Sequence, residues 1–229
     1  MTKHERFQEI FLASHDLFLQ QGYEITTIRQ ISEKASVSLG LTNHFFQSKI
    51  ALAGSVLEML FQYTRCYCDT HCPQCTREPL LYTSVCTRVN TLFLSQGKYG
   101  KFYLDCLKYD IFFQTIERSP NSSLYSLAEK YGFPVDDDLF TLYGKYVPYN
   151  YEKTLILNKQ AGLFPSIRYD DIPDYIINSK FEHFLDHEIL KETLARARAF
   201  ADSLLDHMEE PVPRSFILDY LSSSQHFPV

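Results

Sequence analysis

The sequence has no surplus of positive charge, no long apolar run, no glycine-rich phosphate loop and no catalytic signature, and each gap removes a class of function. Its 22 Lys and Arg stand against 28 Asp and Glu, a net charge of −6, so the chain as a whole is not a basic coat for nucleic acid. No stretch approaches the roughly 18 consecutive apolar residues of a membrane helix. The opening MTKHERFQEIFLASHD breaks its apolar positions with charges where a secretion signal has an unbroken core. A cytoplasmic protein with no membrane partner is expected. Ser-His-Asp, HExxH and paired-carboxylate arrangements are missing and the eight histidines are scattered, so no enzyme is expected, no catalytic residue is nominated and no cofactor is required. Internal repeats, low-complexity tracts and convincing alternating runs are missing too. What remains is a globular, all-α chain of 229 residues with 45% hydrophobic content, ample for a packed core.

Charge is unevenly placed. Residues 1–49 balance Lys3, Arg6, Arg29, Lys34 and Lys49 against Glu5, Glu9, Asp16, Glu24 and Glu33, so residues 50–229 carry the whole negative excess. A small neutral surface can still meet phosphates through a few placed cations and helix N-termini.

Spacing within these 49 residues predicts three short helices. Phe7, Ile10, Phe11, Leu17 and Phe18 recur at steps of three and four over residues 5–21, and Gly22 supplies the stop. Thr27-Ile28-Arg29-Gln30 fits a capping box opening a second helix with Ile28, Ile31 and Ala35 inward. Ser36-Val37-Ser38 makes a tight connection to a third helix over 39–46, and Ser48 caps a fourth that begins at Lys49. In the third helix Thr42, Phe45 and Phe46 share one side, while Leu39, Gly40, Asn43 and His44 share the other. Beyond it, amphipathic stretches near 79–95, 101–118, 122–131, 136–163, 172–185 and 187–208 are separated by prolines and glycines.

Two short helices joined by a tight turn form a helix-turn-helix, whose second member enters the DNA major groove. Thr27, Ser38, Leu39, Gly40, Asn43, His44 and Lys49 are then the DNA-facing candidates. Gly40 allows close backbone approach, Asn43 can pair with adenine or a phosphate, and His44 can donate to a base edge. Lys49 would add a phosphate-anchoring cation. The bland alternative is a set of solvated polar residues on a short helix.

Gly22-Tyr23, Thr27-Ile28, Ile31, Ala35, Val37-Ser38, Gly40, His44, Phe46 and Ser48-Lys49 match, in order and spacing, the N-terminal signature of the TetR/AcrR family of transcriptional regulators. The chain resembles that family over roughly its first 55 residues. The resemblance implies a DNA-binding domain at 1–49 and a helical effector-binding and dimerisation domain at 50–229. It also implies a homodimer, a double-stranded operator, and repression relieved by a small molecule. Three positions depart from the pattern: Ser36 stands in place of the usual turn glycine, Leu41-Thr42 in place of Thr-Leu, and Asn43 where a tyrosine commonly touches phosphate.

In the body, tyrosines and phenylalanines abound, and a subset such as Tyr103, Tyr109, Phe113, Tyr143 and Tyr146 could line an effector pocket; ordinary core is the competing reading. Cys66 to Cys75 concentrates four thiols and His71 in ten residues. Cys68, His71, Cys72 and Cys75 are the ligand types zinc favours, without a matching second half-site; against zinc or redox sensing stands a helix end with buried, reduced thiols. Leu190, Leu194, Ala197, Ala201, Leu204 and Met208 form a stripe that suits either a dimer contact, with residues 172–185 supplying the partner helix, or an internal core. A helical interaction or small-molecule-binding module that retains a helix-turn-helix is the alternative to a regulator.

Overall fold

The computed structural model describes residues 2–118 and 121–223, and among them every regular element is a helix. In chain order these are α1 (Lys3–Gln21), α2 (Ile28–Lys34), α3 (Leu39–Phe45), α4 (Lys49–His71), α5 (Pro79–Gln96), α6 (Gly100–Lys108) and α7 (Ile111–Glu117). There follow α8 (Ser122–Tyr131), α9 (Asp137–Thr141), α10 (Val147–Gln160), α11 (Ile172–Phe181), α12 (His187–Leu205) and α13 (Arg214–Ser223). No helix among the described residues is long and apolar enough to cross a membrane.

The chain forms two compact units. Of the described residues, the first gathers 2–63, 98–115 and 209–223, so the unit that holds α1–α3 reaches well past residue 49 and takes in α6 and α13. Its core is aromatic. Phe7 stacks on Phe46 at 5.1 Å between centroids and meets Phe45 edge-on at 5.6 Å, and Phe18 stacks on Phe102 at 5.1 Å. A buried polar relay crosses this core: the Tyr99 hydroxyl accepts from Val212 N–H at 2.9 Å and shares a hydrogen bond with His15 Nε2 at 2.9 Å. Burial pushes the Tyr99 phenol well above its ordinary value, so it stays protonated.

The second unit comprises residues 64–97, 116–118 and 121–208 of those described. Here α12 packs along α5, and α10 along α11. Leu80, Leu124, Leu127, Phe140, Ile177, Phe181 and Leu190 make a continuous buried cluster, with Leu194 packed against it. Leu190, Ala197, Ala201, Leu204 and Met208 are all buried within the single chain. Of the two readings of the α12 stripe, the internal core is the one its burial matches: small residues let α12 approach α5.

Two further departures from the sequence reading have local causes. The single helix expected over 101–118 divides at Asp110, whose φ of +56° is left-handed, a region aspartate tolerates better than most residues. The helix expected over 136–163 contains a π-helical turn, Leu142–Tyr146, where Asn121 Oδ1 lies 2.7 Å from the place a Cβ on Gly144 would occupy. A side chain at 144 would push Asn121 out of that position.

Candidate nucleic-acid interface

The hydroxyls and turns of the first unit set the geometry of α3. Thr27 caps α2 by accepting from Gln30 N–H at 3.2 Å, and Gln30 Oε1 accepts from Thr27 N–H at 2.8 Å, completing the capping box. After α2 the chain turns through Ser36 at φ +53°, the left-handed position that glycine fills most cheaply. Val37 N–H donates back to the Ser32 carbonyl at 3.0 Å, and Ser38 Oγ then accepts from Leu41 N–H at 3.2 Å to start α3. Between the two helices the Ser32 and Thr42 hydroxyls meet at 2.8 Å in a buried pair.

With Thr42, Phe45 and Phe46 buried, the opposite side of α3 lies open. Ser38, Leu39, Gly40, Asn43 and His44 are all exposed, as is Thr27 at the head of α2. Leu39 is 48% exposed, an apolar side chain displayed at the very start of the helix. A Cβ at Gly40 would meet nothing within 4 Å, so nothing inside the protein requires glycine there. The result is a short, nearly uncharged face with one amide, one imidazole and a bare stretch of backbone, chemistry suited to base edges in a major groove.

Lys49 opens α4, and its side chain turns back toward the loop between α1 and α2. Its ammonium donates to the carbonyls of Tyr23 at 3.0 Å, Glu24 at 3.3 Å and Thr26 at 2.9 Å, and lies 4.0 Å from the centroid of the Tyr23 ring. Three donors thus meet three carbonyls, and the side chain clasps the loop between α1 and α2. Burial lowers the pKa of this ammonium, while Asp105 and Glu24 act in the opposite sense. From α6, Asp105 Oδ2 accepts from Glu24 N–H at 2.9 Å, and Lys108 pairs with the Glu24 carboxylate at 2.9 Å. Gly22, at φ +83°, completes the clasp: a Cβ there would come within 2.7 Å of Asp105 Oδ2. Asp105 and Lys108 escaped sequence reasoning because their partner is more than 80 residues away, and no local spacing marks them.

The five aromatic candidates divide between the units. Tyr103 is fully buried with its ring edge-on to Phe112 at 5.7 Å, Tyr109 lies 5.5 Å from Tyr23 beside the α1–α2 loop, and Phe113 is half-buried; all three belong to the first unit. Tyr143 and Tyr146 belong to the second and both sit on its π-helical turn, with Tyr143 stacked on His183 at 4.5 Å.

The cysteine segment does not form the ligand set read from its spacing. Cys72 and Cys75 are joined as a disulfide, which removes two thiolates from any zinc site and also departs from the expectation of reduced thiols. His71 is engaged with its own helix, its Nδ1 3.0 Å from the Tyr67 carbonyl and its ring stacked on Tyr67 at 4.0 Å. Cys68 is buried in the core. Among the described residues no group of three or more His, Cys, Asp or Glu is arranged to hold a metal ion, and Cys68, His71, Cys72 and Cys75 do not converge as one.

Residues 10–56 match the family model described as bacterial regulatory proteins, tetR family. Among solved structures the chain is similar to RolR crystallised without ligand, at 14% identity over 85% of this chain and 95% of that one, with a TM-score of 0.56. It also aligns with a gamma-butyrolactone receptor, an ArpA-like protein, at 16% identity over 97% of each chain and a TM-score of 0.39. The RolR likeness is one of fold, and the second is too loose to carry an argument. No curated protein matches the chain.

Proposed function

We propose that this chain, whose residues 10–56 belong to the tetR family of bacterial regulatory proteins, is a homodimeric repressor that leaves a palindromic operator when a small molecule binds its body. The observation that carries the reading is the exposed face of α3, with Ser38, Leu39, Gly40, Asn43 and His44 turned to solvent on a helix fixed from behind by Thr42, Phe45 and Phe46. Residues 1–49 are the reading head in this proposal. Asn43 and His44 contact bases, and the N-cap hydroxyls of Thr27 and Ser38 with the first backbone N–H groups of their helices meet phosphates. Lys49 acts as a positioning residue that holds the α1–α2 loop, and so the start of α2, at a fixed height.

A repressor of this type works in pairs, because two half-sites one helical turn apart need two reading helices on a common two-fold axis. The effector we assign to the second unit, where the π-helical turn presents Tyr143 and Tyr146; departures from regular α-helix are often retained at functional sites. Tyr103 and Tyr109 then serve the first unit's packing rather than the ligand.

The experiment is selection of bound fragments from genomic DNA with the purified protein, followed by sedimentation of the complex and a metabolite screen for release. Recovery of a palindromic site bound by two copies, with affinity falling steeply as salt rises, supports the proposal. Recovery of no enriched sequence would favour the interaction-module reading.

A further inference from the structure

The second unit holds a cation whose charge nothing in the described chain answers. Lys180 stands one residue before the end of α11. At about 100° per residue it shares a face with Ile176 and Ile177 one turn earlier and with Pro173 two turns earlier. All three are buried, whereas Tyr175 on the outer side is 43% exposed. A lysine thus occupies the middle of the inward side of α11, the helix that packs on α5, α10 and the π-helical turn. Its ammonium lies 5.3 Å from the centroid of the Phe181 ring, which is fully buried in the cluster of Leu80, Leu124, Phe140 and Ile177. Phe184 packs on the same cluster, and Tyr143 of the π-helical turn meets Phe184 edge-on at 5.5 Å.

Three other basic side chains of the unit end on carboxylates: Arg88 on Asp174, Arg196 on Glu78, and Arg198 on Asp171 and Asp174. The Lys180 ammonium, among the described residues, has neither a carboxylate nor a hydrogen-bond acceptor. Burial lowers its pKa to about 8, so at neutral pH it keeps its charge. A charge held away from water without a partner is costly, and a ligand of opposite sign removes that cost. Lys180 as a whole is part-buried, which leaves solutes a way to it.

The surroundings narrow the shape of that ligand. Phosphates and other multiply charged anions are held by several donors at once, whereas here a single ammonium stands among rings and aliphatic side chains. A lone cation with apolar walls suits a monoanion with an apolar body. We propose that the effector site of the second unit takes an apolar monocarboxylic acid, whose carboxylate pairs with the Lys180 ammonium and whose apolar part lies on the side of Phe181. This rests on placing the effector in that unit.

The test titrates hexanoate, octanoate, benzoate and phenylacetate, each beside its uncharged primary amide, into the purified full-length chain by calorimetry. At least one acid should bind about tenfold or more tighter than its amide, the worth of a hydrogen bond to a charged group. In Lys180→Met that acid should fall to the affinity of its amide, and Lys180→Arg should keep the preference for the acid. Methionine fills similar space without the charge, so the urea midpoint of ligand-free Lys180→Met should hold or rise. Added acid should raise the midpoint of wild type and not that of Lys180→Met. The proposal is overturned if no acid outbinds its amide, if Lys180→Met binds the acid as wild type does, or if that substitution lowers the midpoint, which would show that the ammonium already has a partner in the chain. Release of DNA is scored separately, on a fragment recovered by selection. An acid that binds through Lys180 yet leaves DNA bound would end the repressor reading and spare the acid site. A metabolite that releases DNA equally from wild type and Lys180→Met would end the acid site's role and spare the repressor.

Discussion

Both units must hold helices at fixed positions, and they do so with opposite chemistry. In the first, the α1–α2 loop is held largely by backbone: carbonyls accept from Lys49, one N–H donates to Asp105, and aromatic stacking fixes α3 from behind. In the second, charge does the work. Arg88, only 1% exposed, gives one nitrogen to Asp174 at 2.7 Å and another to the Asp170 carbonyl at 2.6 Å, and Arg198 bridges Asp174 at 2.6 Å and Asp171 at 3.2 Å. Backbone bonds fix position without asking for a particular partner side chain. A charge lattice is unforgiving, since loss of one member strands another where water cannot replace it.

Four expected outcomes would break or sharpen that contrast. The largest effect belongs to the lattice: Arg88→Met should cost about 3 kcal/mol or more, the low end for removing one member of a buried pair, read as a lowered urea midpoint at unchanged slope. A loss under about 1 kcal/mol would place the Arg88 lattice with ordinary surface ion pairs.

Lys49→Met should cost about 1–3 kcal/mol, because carbonyls that accept from a cation lose their donor. It should also weaken binding to all DNA sequences alike, because the loop sets where α2 begins. If Lys49 were a phosphate contact instead, stability would hold while the salt slope of binding fell by about one. Next, Thr27→Ala should cost about 1 kcal/mol by removing the α2 cap, measured by thermal denaturation.

The smallest effect concerns pH. Hydrogen bonds from the Arg168 side chain, with help from Arg198, hold the Asp171 carboxyl well below the usual carboxylate range. A carboxyl whose folded pKa is depressed adds stability above its unfolded value of about 3.9, and the contribution fades as pH falls below that value. The stability gap between wild type and Asp171→Asn should therefore be constant from neutral pH down to about 5 and shrink below about 4. A gap that widened on acidification would reverse the assignment.

The same contrast explains what could be read in advance. Caps and faces in the first unit are local: Thr27 and Gln30 are three residues apart, and the inward set Thr42, Phe45, Phe46 follows from helical period alone. The all-α class, the turn at Ser36 and the open side of α3 were legible for that reason. Partners in the lattice and the clasp are not: Arg88 and Asp174 are 86 residues apart, and Asp105 and Glu24 are 81 apart. The place of Lys49 at the start of α4 is visible in the chain, whereas the three carbonyls that accept from it are brought there by tertiary structure. What lies against the α12 stripe was hidden the same way, since spacing shows which side of a helix is apolar but not what packs on it.

The most direct test of the central claim is the operator preference of Asn43→Ala. Asn43 is exposed, so its removal should leave stability within about 0.5 kcal/mol of wild type. Fluorescence anisotropy on a panel of operators, each with one base pair changed, should show that the variant no longer discriminates at one position of each half-site, where wild type loses about 1–3 kcal/mol per mismatch. A variant that ranks every operator as wild type does, with equal affinity, would contradict the assignment of the open α3 face to base reading.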